Sequence, residues 1–373
     1  NLEYYLTSPN TSSMGPSTQE EVDRQHAKIL DALLAIDADV YGLVEVEQGQ
    51  QALSKLVAAL NQSGGGRRYS FINDGGTANG TYTKAAFLYR SDKVAPYQAL
   101  REVNNPSPAN RKKLQAFTLK SNNERFVYSI NHLKAKSGCQ SATGENADTG
   151  DGQSCYNATR VAEAKAVVAA ANSATSYYDD DDVLVMGDLN AYAKEDPIQV
   201  FITSGYIDLL QEFHADSAYS YVYRTEAGYL DHALANKSLA KQITGVTPFH
   251  INADELTSFG YSGGQATNDM FRSSDHDPIT VGIVLGKNVN SNLLEFEERV
   301  KIYPTLVHES LHVDMANEAY IQIYSLNGVK LFQDKIDSDT FTLELHQLTL
   351  APGAYIVRVL GEQRIVRQVI FVK

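Results

Sequence analysis

Cysteine, basic charge and long apolar runs are all scarce in this sequence. Only two of 373 residues are cysteine, Cys139 and Cys155, and the sequence shows no Cys/His cluster of the kind zinc prefers. Both lie in one Gly/Ser/Asp-rich loop. In an oxidising compartment they would staple it, at about 3 kcal/mol on the chain-entropy model; two separate free thiols are the alternative. Lys plus Arg number 32 against 45 Asp plus Glu, a formal net charge of −13, which excludes a generally basic nucleic-acid-binding surface. The acidic excess is uneven: 23 against 34 before Lys287, nine against eleven from there on. No apolar run approaches the roughly 20 residues of a membrane-spanning helix, and no internal repeat stands out. With 43% hydrophobic and 9% aromatic residues, the chain is globular in composition and long enough for one large domain plus a small one.

The pattern along the chain alternates helix and strand in its first half. Thr18 with Glu21 is a capping-box signal for a helix carrying Val22, Ile29, Leu30, Leu33 and Leu34 on one face. Val40 to Val46 then reads as a strand ending in Glu45. Gln50 to Leu60 is a second helix, and Tyr69–Ile72 and Tyr82–Tyr89 are strands. Pro96 to Arg111 reads as irregular. Leu114–Lys120 and Phe126–His132 form a hairpin, Asn157 to about Ala171 an Ala-rich helix, and Val183–Met186 a strand leading into Gly187-Asp188-Leu189-Asn190. A short helix at Pro197–Thr203 and strands at Tyr221–Arg224 and Tyr229–Ala235 follow. The apolar alternation Ile279, Val281, Ile283 comes directly after Ser274-Asp275-His276-Asp277-Pro278.

Three apolar runs therefore end in residues suited to a divalent ion or a phosphate: Glu45, Asp188 with Asn190, and Asp275 with His276. Strand ends on one side of a sheet converge, so residues distant in sequence can share a cleft. Oxygen ligands favour Mg or Mn, with Ca a third choice. The chemistry that fits is hydrolysis of a phosphate ester. Arg67-Arg68 and Arg111-Lys112-Lys113 are candidates for gripping a nucleic-acid backbone, and Lys134, Lys136 and Arg160 either steer phosphates or are solvated charges. Asp148 and Asp151 suggest a cation-binding loop but match no EF-hand spacing. His232 reads as structural.

The ordered set Asn1, Val44-Glu45-Val46-Glu47, Phe87-Leu88-Tyr89-Arg90, Asn131-His132-Leu133-Lys134-Ala135-Lys136, Gly150-Asp151-Gly152-Gln153, Asn157-Ala158-Thr159-Arg160, Gly187-Asp188-Leu189-Asn190, Tyr229-Leu230-Asp231-His232 and Ser274-Asp275-His276-Asp277-Pro278 resembles the endonuclease/exonuclease/phosphatase superfamily, and within it the secreted bacterial nucleases. The resemblance spans residues 1 to 286 and implies a four-layer α/β/β/α sandwich, two packed mixed sheets with outer helices. It implies Glu45 as principal metal ligand with Asn1 and Asp275, and Asp188 orienting or deprotonating water. Asn190 would donate to phosphoryl oxygens, and His276, held by Asp231, would act as base or donor. His132 would contact the phosphate or protonate the leaving oxygen, with Lys134 and Arg160 binding substrate. It also implies strand residues ahead of Asn1. An acidic residue that supports the first histidine in pancreatic-deoxyribonuclease-like relatives is replaced in Thr81-Tyr82-Thr83-Lys84, which leaves the partner of His132 open.

Residues 287–293 read as a polar linker and 294–373 as a small antiparallel β-sandwich with turns at Leu326-Asn327-Gly328 and Ala351-Pro352-Gly353. Val300-Lys301-Ile302-Tyr303-Pro304, Ile323-Tyr324-Ser325-Leu326-Asn327-Gly328 and Pro352-Gly353-Ala354-Tyr355 resemble the sorting domain of type IX secretion substrates, although Tyr303-Pro304-Thr305-Leu306 stands where that family has Tyr-Pro-Asn-Pro. The resemblance implies export across an outer membrane through secretion machinery, which fits the cysteine pair. The expectation is a secreted, monomeric, metal-dependent phosphodiesterase, most simply an endonuclease acting on DNA or RNA. A secreted phosphatase or lipid phosphodiesterase, or a non-catalytic adhesion protein, are the other readings.

Overall fold

The computed structural model describes residues 1–286 and 300–372, apart from 12–13, 64, 77–82, 107, 305, 315–318, 326–329, 349 and 362–363. The 287–293 linker and the turn at 326–328 expected from sequence lie outside the described residues. The backbone falls into two compact units, Asn1–Lys287 and Asn288–Lys373.

In chain order the first unit runs α1 (Gln19–Ile36), β1 (Val40–Glu47), α2 (Gln51–Gln62), β2 (Tyr69–Phe71), β3 (Thr83–Arg90), β4 (Val94–Glu102), β5 (Lys112–Leu119) and β6 (Arg125–His132). It continues through α3 (Asn157–Tyr178), β7 (Val183–Asp188), α4 (Asp196–Thr203), β8 (Ile207–Asp208), α5 (Leu209–His214), β9 (Tyr221–Tyr223) and β10 (Glu226–Gly228). It closes with β11 (Asp231–Ala235), α6 (Lys237–Ala240), β12 (Ile243–Pro248) and β13 (Ile279–Ile283). Thr18 and Glu21 form the reciprocal cap at the start of α1, which satisfies N–H groups the first turn leaves unbonded.

Six strands in the order β4-β5-β6-β7-β11-β8 make one mixed sheet, in which only β6 and β7 run parallel; β1-β3-β2 and β12-β13 make two smaller ones. Four layers result, as an α/β/β/α sandwich. Between the sheets, Val44, Ala85 and Phe87 meet Phe117, Phe126, Tyr128, Leu184 and Met186. Outside the six-stranded sheet, Ala164, Val167, Ala171 and Ala174 of α3 recur at helical spacing and are buried against Val127, Val183 and Val185. On the other outer face Ile29 and Leu33 of α1 and Leu53, Leu56 and Leu60 of α2 pack on Leu43 and Leu88. A cleft of about 620 Å³ is lined by residues of β1 and β13 together with Asn1, Asp37, Lys93 and Asp231.

The first part of the stretch from Pro96 to Arg111 expected to be irregular, as far as Glu102, instead belongs to strand β4. Pro96 lies on the sheet's edge, where a missing N–H breaks no ladder, and the register slips between Tyr97 and Arg101. Short apolar elements such as β8 and α5 escaped the sequence reading because two to six residues show no period.

The second unit contains β14 (Lys301–Tyr303), β15 (Leu306–Val307), β16 (Ser310–Asp314), β17 (Ala319–Ser325), β18 (Lys330–Ile336), β19 (Thr340–Glu344), β20 (Gly353–Gly361) and β21 (Arg364–Val372). They form a three-stranded sheet β14-β16-β19 and a five-stranded sheet β15-β21-β20-β17-β18, antiparallel except for the two-residue pairing of β15 with β21. Val313, Ile321, Ile323, Val357, Val359 and Ile370 fill the space between.

Candidate active site

Three neighbouring strands set a row of ionisable side chains in register: His132 on β6 lies opposite Asp188 on β7, and Asp188 opposite Asp231 on β11. The close approach of β6 to β7 depends on Gly187, whose φ is +128°; a Cβ there would lie 1.9 Å from the Asn131 carbonyl oxygen, so no other residue fits. All three polar side chains are buried.

Glu45 faces this row from the other sheet. Leu43 pairs with Ala86 and Val46 with Lys84, so two residues of β1 oppose one of β3. This bulge leaves Glu45 at φ +62°, a conformation a non-glycine residue rarely holds and that re-aims its side chain. Its carboxylate lies 3.8 Å from His132 Nε2 and accepts from the Tyr4 N–H at 3.1 Å. The chain before α1 runs beside β1, with Leu2 N–H donating to Val44 O and Tyr5 N–H to Glu45 O. That brings Asn1 to the site, where its Nδ2 donates to Asp188 Oδ2 at 3.0 Å.

The remaining groups come from the loop before β13. His276 Nδ1 donates to Asp231 Oδ2 at 2.6 Å, while Nε2 is 3.9 Å from Asp188 Oδ2. Ser220 Oγ donates to the same Asp231 oxygen at 2.8 Å. Asn252, buried, governs this loop's shape. Its Oδ1 accepts from Ser273 N–H at 2.8 Å and Ser274 N–H at 3.3 Å, and its Nδ2 donates to His276 O at 2.7 Å. Asp277 Oδ1 in turn accepts from the N–H groups of Ile251, Asn252 and Ala253. One amide and one carboxylate therefore set the backbone that carries Asp275 and His276. Sequence reading missed Asn252, a lone loop residue; Asp277 at least stood within the recognised motif.

The electrostatics sort the groups into distinct states. Burial, then Asp188 and Asp275, push the Glu45 carboxyl up to about 7, because like charges withdrawn from water cannot all ionise freely. Burial raises Glu3 to about 8, helped by Asp275. Burial works against the charged forms of Asp231 and His276, but their mutual attraction prevails, holding Asp231 at about 2 and lifting His276 to about 10. His132 is driven well below its ordinary value, first by burial and then by the Arg111 guanidinium. The site thus pairs an imidazolium at His276 with a neutral ring at His132.

Carboxylates raised first by burial and then by one another's charge, as Glu45 and Glu3 are, suit a hard dication. Among the described residues no three acidic, histidine or cysteine side chains are arranged as a metal cage. Glu45, Asp275 and Asn1, whose side-chain oxygen accepts from the Glu3 N–H at 2.9 Å, are the residues that could hold such an ion.

Arg160 is corrected by the structure. It is fully buried, and its guanidinium donates to the carbonyls of Gln153 at 2.7 Å, Cys155 at 2.9 Å and Lys134 at 3.3 Å. It braces the loop closed by the Cys139–Cys155 disulfide and offers nothing to a substrate. Lys134 lies over the Tyr156 ring at 4.2 Å, and Lys136 is bound to Glu195 at 2.6 Å. The triplet of cations after Asn110 is divided: Lys112 and Lys113 are buried against Glu163 and Asp74, and half-buried Arg111 alone stands beside His132. Arg67 is paired with Asp37. Asp148 and Asp151 accept from Gly150 and Gln153 N–H groups, as turn-forming residues do. His232 Nε2 is bonded to Ala191 O in the core.

Residues 10–276 match the Endonuclease/Exonuclease/phosphatase family, and residues 301–373 match the Secretion system C-terminal sorting domain. No curated protein matches the chain. Among solved structures, the mannosyl-6-phosphatase of Bacteroides thetaiotaomicron is similar at 15% identity and a TM-score of 0.51, over 76% of this chain and 98% of that one. An endonuclease/exonuclease/phosphatase family protein of the same organism is similar at 15% and 0.51, over 74% and 94%. A 3'-5' exonuclease of Neisseria meningitidis is similar at 16% and 0.45, over 71% and 96%. At such identities the likeness is one of fold. The sorting domain marks the protein as secreted or displayed at the cell surface. No helix among the described residues is long and apolar enough to cross a membrane. With most of its length inside the first match, the chain belongs to the endonuclease/exonuclease/phosphatase family, whose members hydrolyse phosphoric esters and generally depend on a divalent metal.

Proposed function

We propose that this protein is a secreted, metal-dependent phosphodiesterase that cuts nucleic acid internally, with DNA its first substrate and RNA a second. The observation that carries the reading is the row His132, Asp188, Asp231 in register, closed by His276 and faced by Glu45. Glu45, Asp275 and the Asn1 side-chain oxygen would hold Mg or Mn, which when bound polarises the phosphoryl oxygens and offsets the carboxylate charge. Asp188, buried between the two histidines, takes the proton of the attacking water. Asn190, held by its Nδ2 to Leu133 O at 3.2 Å, lies beside it and directs its second amide hydrogen to a phosphoryl oxygen. His276, kept cationic by Asp231, donates to the phosphoryl oxygens on which charge develops and gives its proton to the leaving oxygen as the bond to phosphorus breaks. His132 positions the phosphate, and Arg111 grips a flanking one.

Nicking of supercoiled plasmid in Mg or Mn, with Glu45→Ala as control, tests this. Cutting that disappears in the variant supports it. No cutting with any divalent ion, together with turnover of a small phosphomonoester, would replace it with a phosphatase.

A further inference from the structure

Val22, Ile29, Ala32 and Leu33 bury the inner face of α1, and Gln25 interrupts it, fully buried where a helix packed on a sheet would ordinarily carry an apolar residue. Burying an amide is unfavourable unless hydrogen bonds replace those it made with water. The bonds Gln25 makes go to the segment ahead of the helix: its Nε2 donates to Leu2 O at 3.2 Å and to Glu3 O at 2.8 Å. Among the described residues its buried Oε1 meets no donor, so the side chain serves there through its N–H groups, against the cost of an unmet acceptor.

Those two bonds hold a strained turn. Glu3 and Tyr4 stand in succession at φ +49° and +57°, left-handed conformations that residues with a Cβ seldom adopt and that persist only where the surroundings enforce them. The turn sends both backbone N–H groups into the site: Glu3 N–H donates to Asn1 Oδ1 at 2.9 Å and Tyr4 N–H to Glu45 Oε2 at 3.1 Å. In an extended strand successive residues face opposite sides, and only one of the two would reach it. Asn1 is fixed at its other side-chain atom by the bond from Nδ2 to Asp188. A carbonyl or carboxylate oxygen that accepts one hydrogen bond keeps a lone pair, so Asn1 and Glu45 are both oriented with oxygen still available to a cation.

We propose that Gln25 is a positioning residue for the metal centre. From behind the turn it holds Glu3 and Tyr4 in their left-handed form, and through their N–H groups it fixes the Asn1 and Glu45 side chains as ligands. The proposal rests on the reading of those two residues as ligands and not on which phosphoester is cut. Groups that orient ligands from outside the coordination sphere account for about 10- to 100-fold in metal affinity, because a ligand free to turn away must be ordered anew each time the ion binds.

The test is a titration of the whole chain with Mn in the absence of substrate, read from the loss of the electron paramagnetic resonance signal of the free hydrated ion. Wild type binds Mn at a site that Glu45→Ala abolishes. Gln25→Met, which fills similar space without a donor, raises the Kd for Mn about 10- to 100-fold, while KM for a single-stranded oligonucleotide at saturating Mn stays at the wild-type value. Arg160→Ala, which also removes a buried donor to backbone carbonyls but in another loop, lowers the melting temperature and leaves the Kd for Mn unchanged. Where Gln25→Met does not fold, Gln25→Asn, whose amide is a methylene short of the two carbonyls, shows the same rise. A Gln25 variant with a lowered melting temperature and a wild-type Kd overturns the proposal and leaves the metal centre standing. An equal rise in Arg160→Ala overturns it too, as general loosening of the fold. No binding of Mn by wild type, or binding that survives Glu45→Ala, removes the ligand reading and the proposal with it.

Discussion

His276 Nδ1 and Asp231 Oδ2 lie 2.6 Å apart, joining the loop before β13 to the third strand of the row His132, Asp188, Asp231. Replacing Asp231 by Asn keeps the shape but removes the charge that holds His276 cationic. Activity at neutral pH falls about 10²- to 10⁴-fold. The pH–rate profile moves as well, the limb set by His276 shifting to lower pH. A profile unchanged in position would show that Asp231 does not govern that ring.

The pKa shifts predict how stability depends on pH without metal. Glu45 and His276 both have folded values above their unfolded ones, about 7 and about 10. Such groups contribute stability that is complete below the unfolded values and fades as pH rises through the folded ones. Asp231, depressed to about 2, works the other way and is lost only in strong acid. In EDTA the melting temperature therefore falls from pH 5 to pH 9. Mn or Mg flattens that slope by offsetting the carboxylate charge. A slope of the same size with and without the cation would contradict the ligand assignment.

Asn252→Ala frees the segment from Ser273 to His276. Displacement of about 1 Å at such a site costs on the order of 10²-fold in rate, and the cation concentration for half-maximal activity rises because Asp275 is no longer held. Titration with Mn beside a melting curve separates these effects. A lower melting temperature with kinetics unaltered would make Asn252 a brace of the fold alone.

Arg160→Ala has the opposite signature. Three carbonyls lose a charged donor inside the protein, at a cost of about 3 kcal/mol, so the melting temperature drops while KM for the oligonucleotide stays as it was. A raised KM at wild-type stability would return Arg160 to the substrate site.

Reduction of the Cys139–Cys155 bridge, or Cys139→Ser with Cys155→Ser, removes about 3 kcal/mol by the loop-entropy estimate. Chemical denaturation with and without reductant measures it.

The motifs of the candidate site were legible in the sequence because they border apolar runs, Glu45 and Asp188 near the close of theirs and Asp231 and His276 ahead of theirs. Glu45, Asp188, Asp231 and His276 each sit at or beside a strand terminus, where polar chemistry interrupts a pattern that burial demands. Arg160 misled because a guanidinium near motif residues looks alike whether it faces phosphate or backbone carbonyls. Asn252 gave no signal at all, since its role consists of contacts with residues 21 to 24 positions away.

The sequence by itself determined the helix and strand periods and the family, properties of residue type and order. The tertiary structure decided which cations are paired away from the site. Arg111 stands at the site while Lys112, Lys113, Lys136 and Arg160 are taken up by partners, and strand β9 sets Tyr221 against His276. Those outcomes depend on which side chains meet across layers, and local patterns carry no record of distance between residues far apart along a chain.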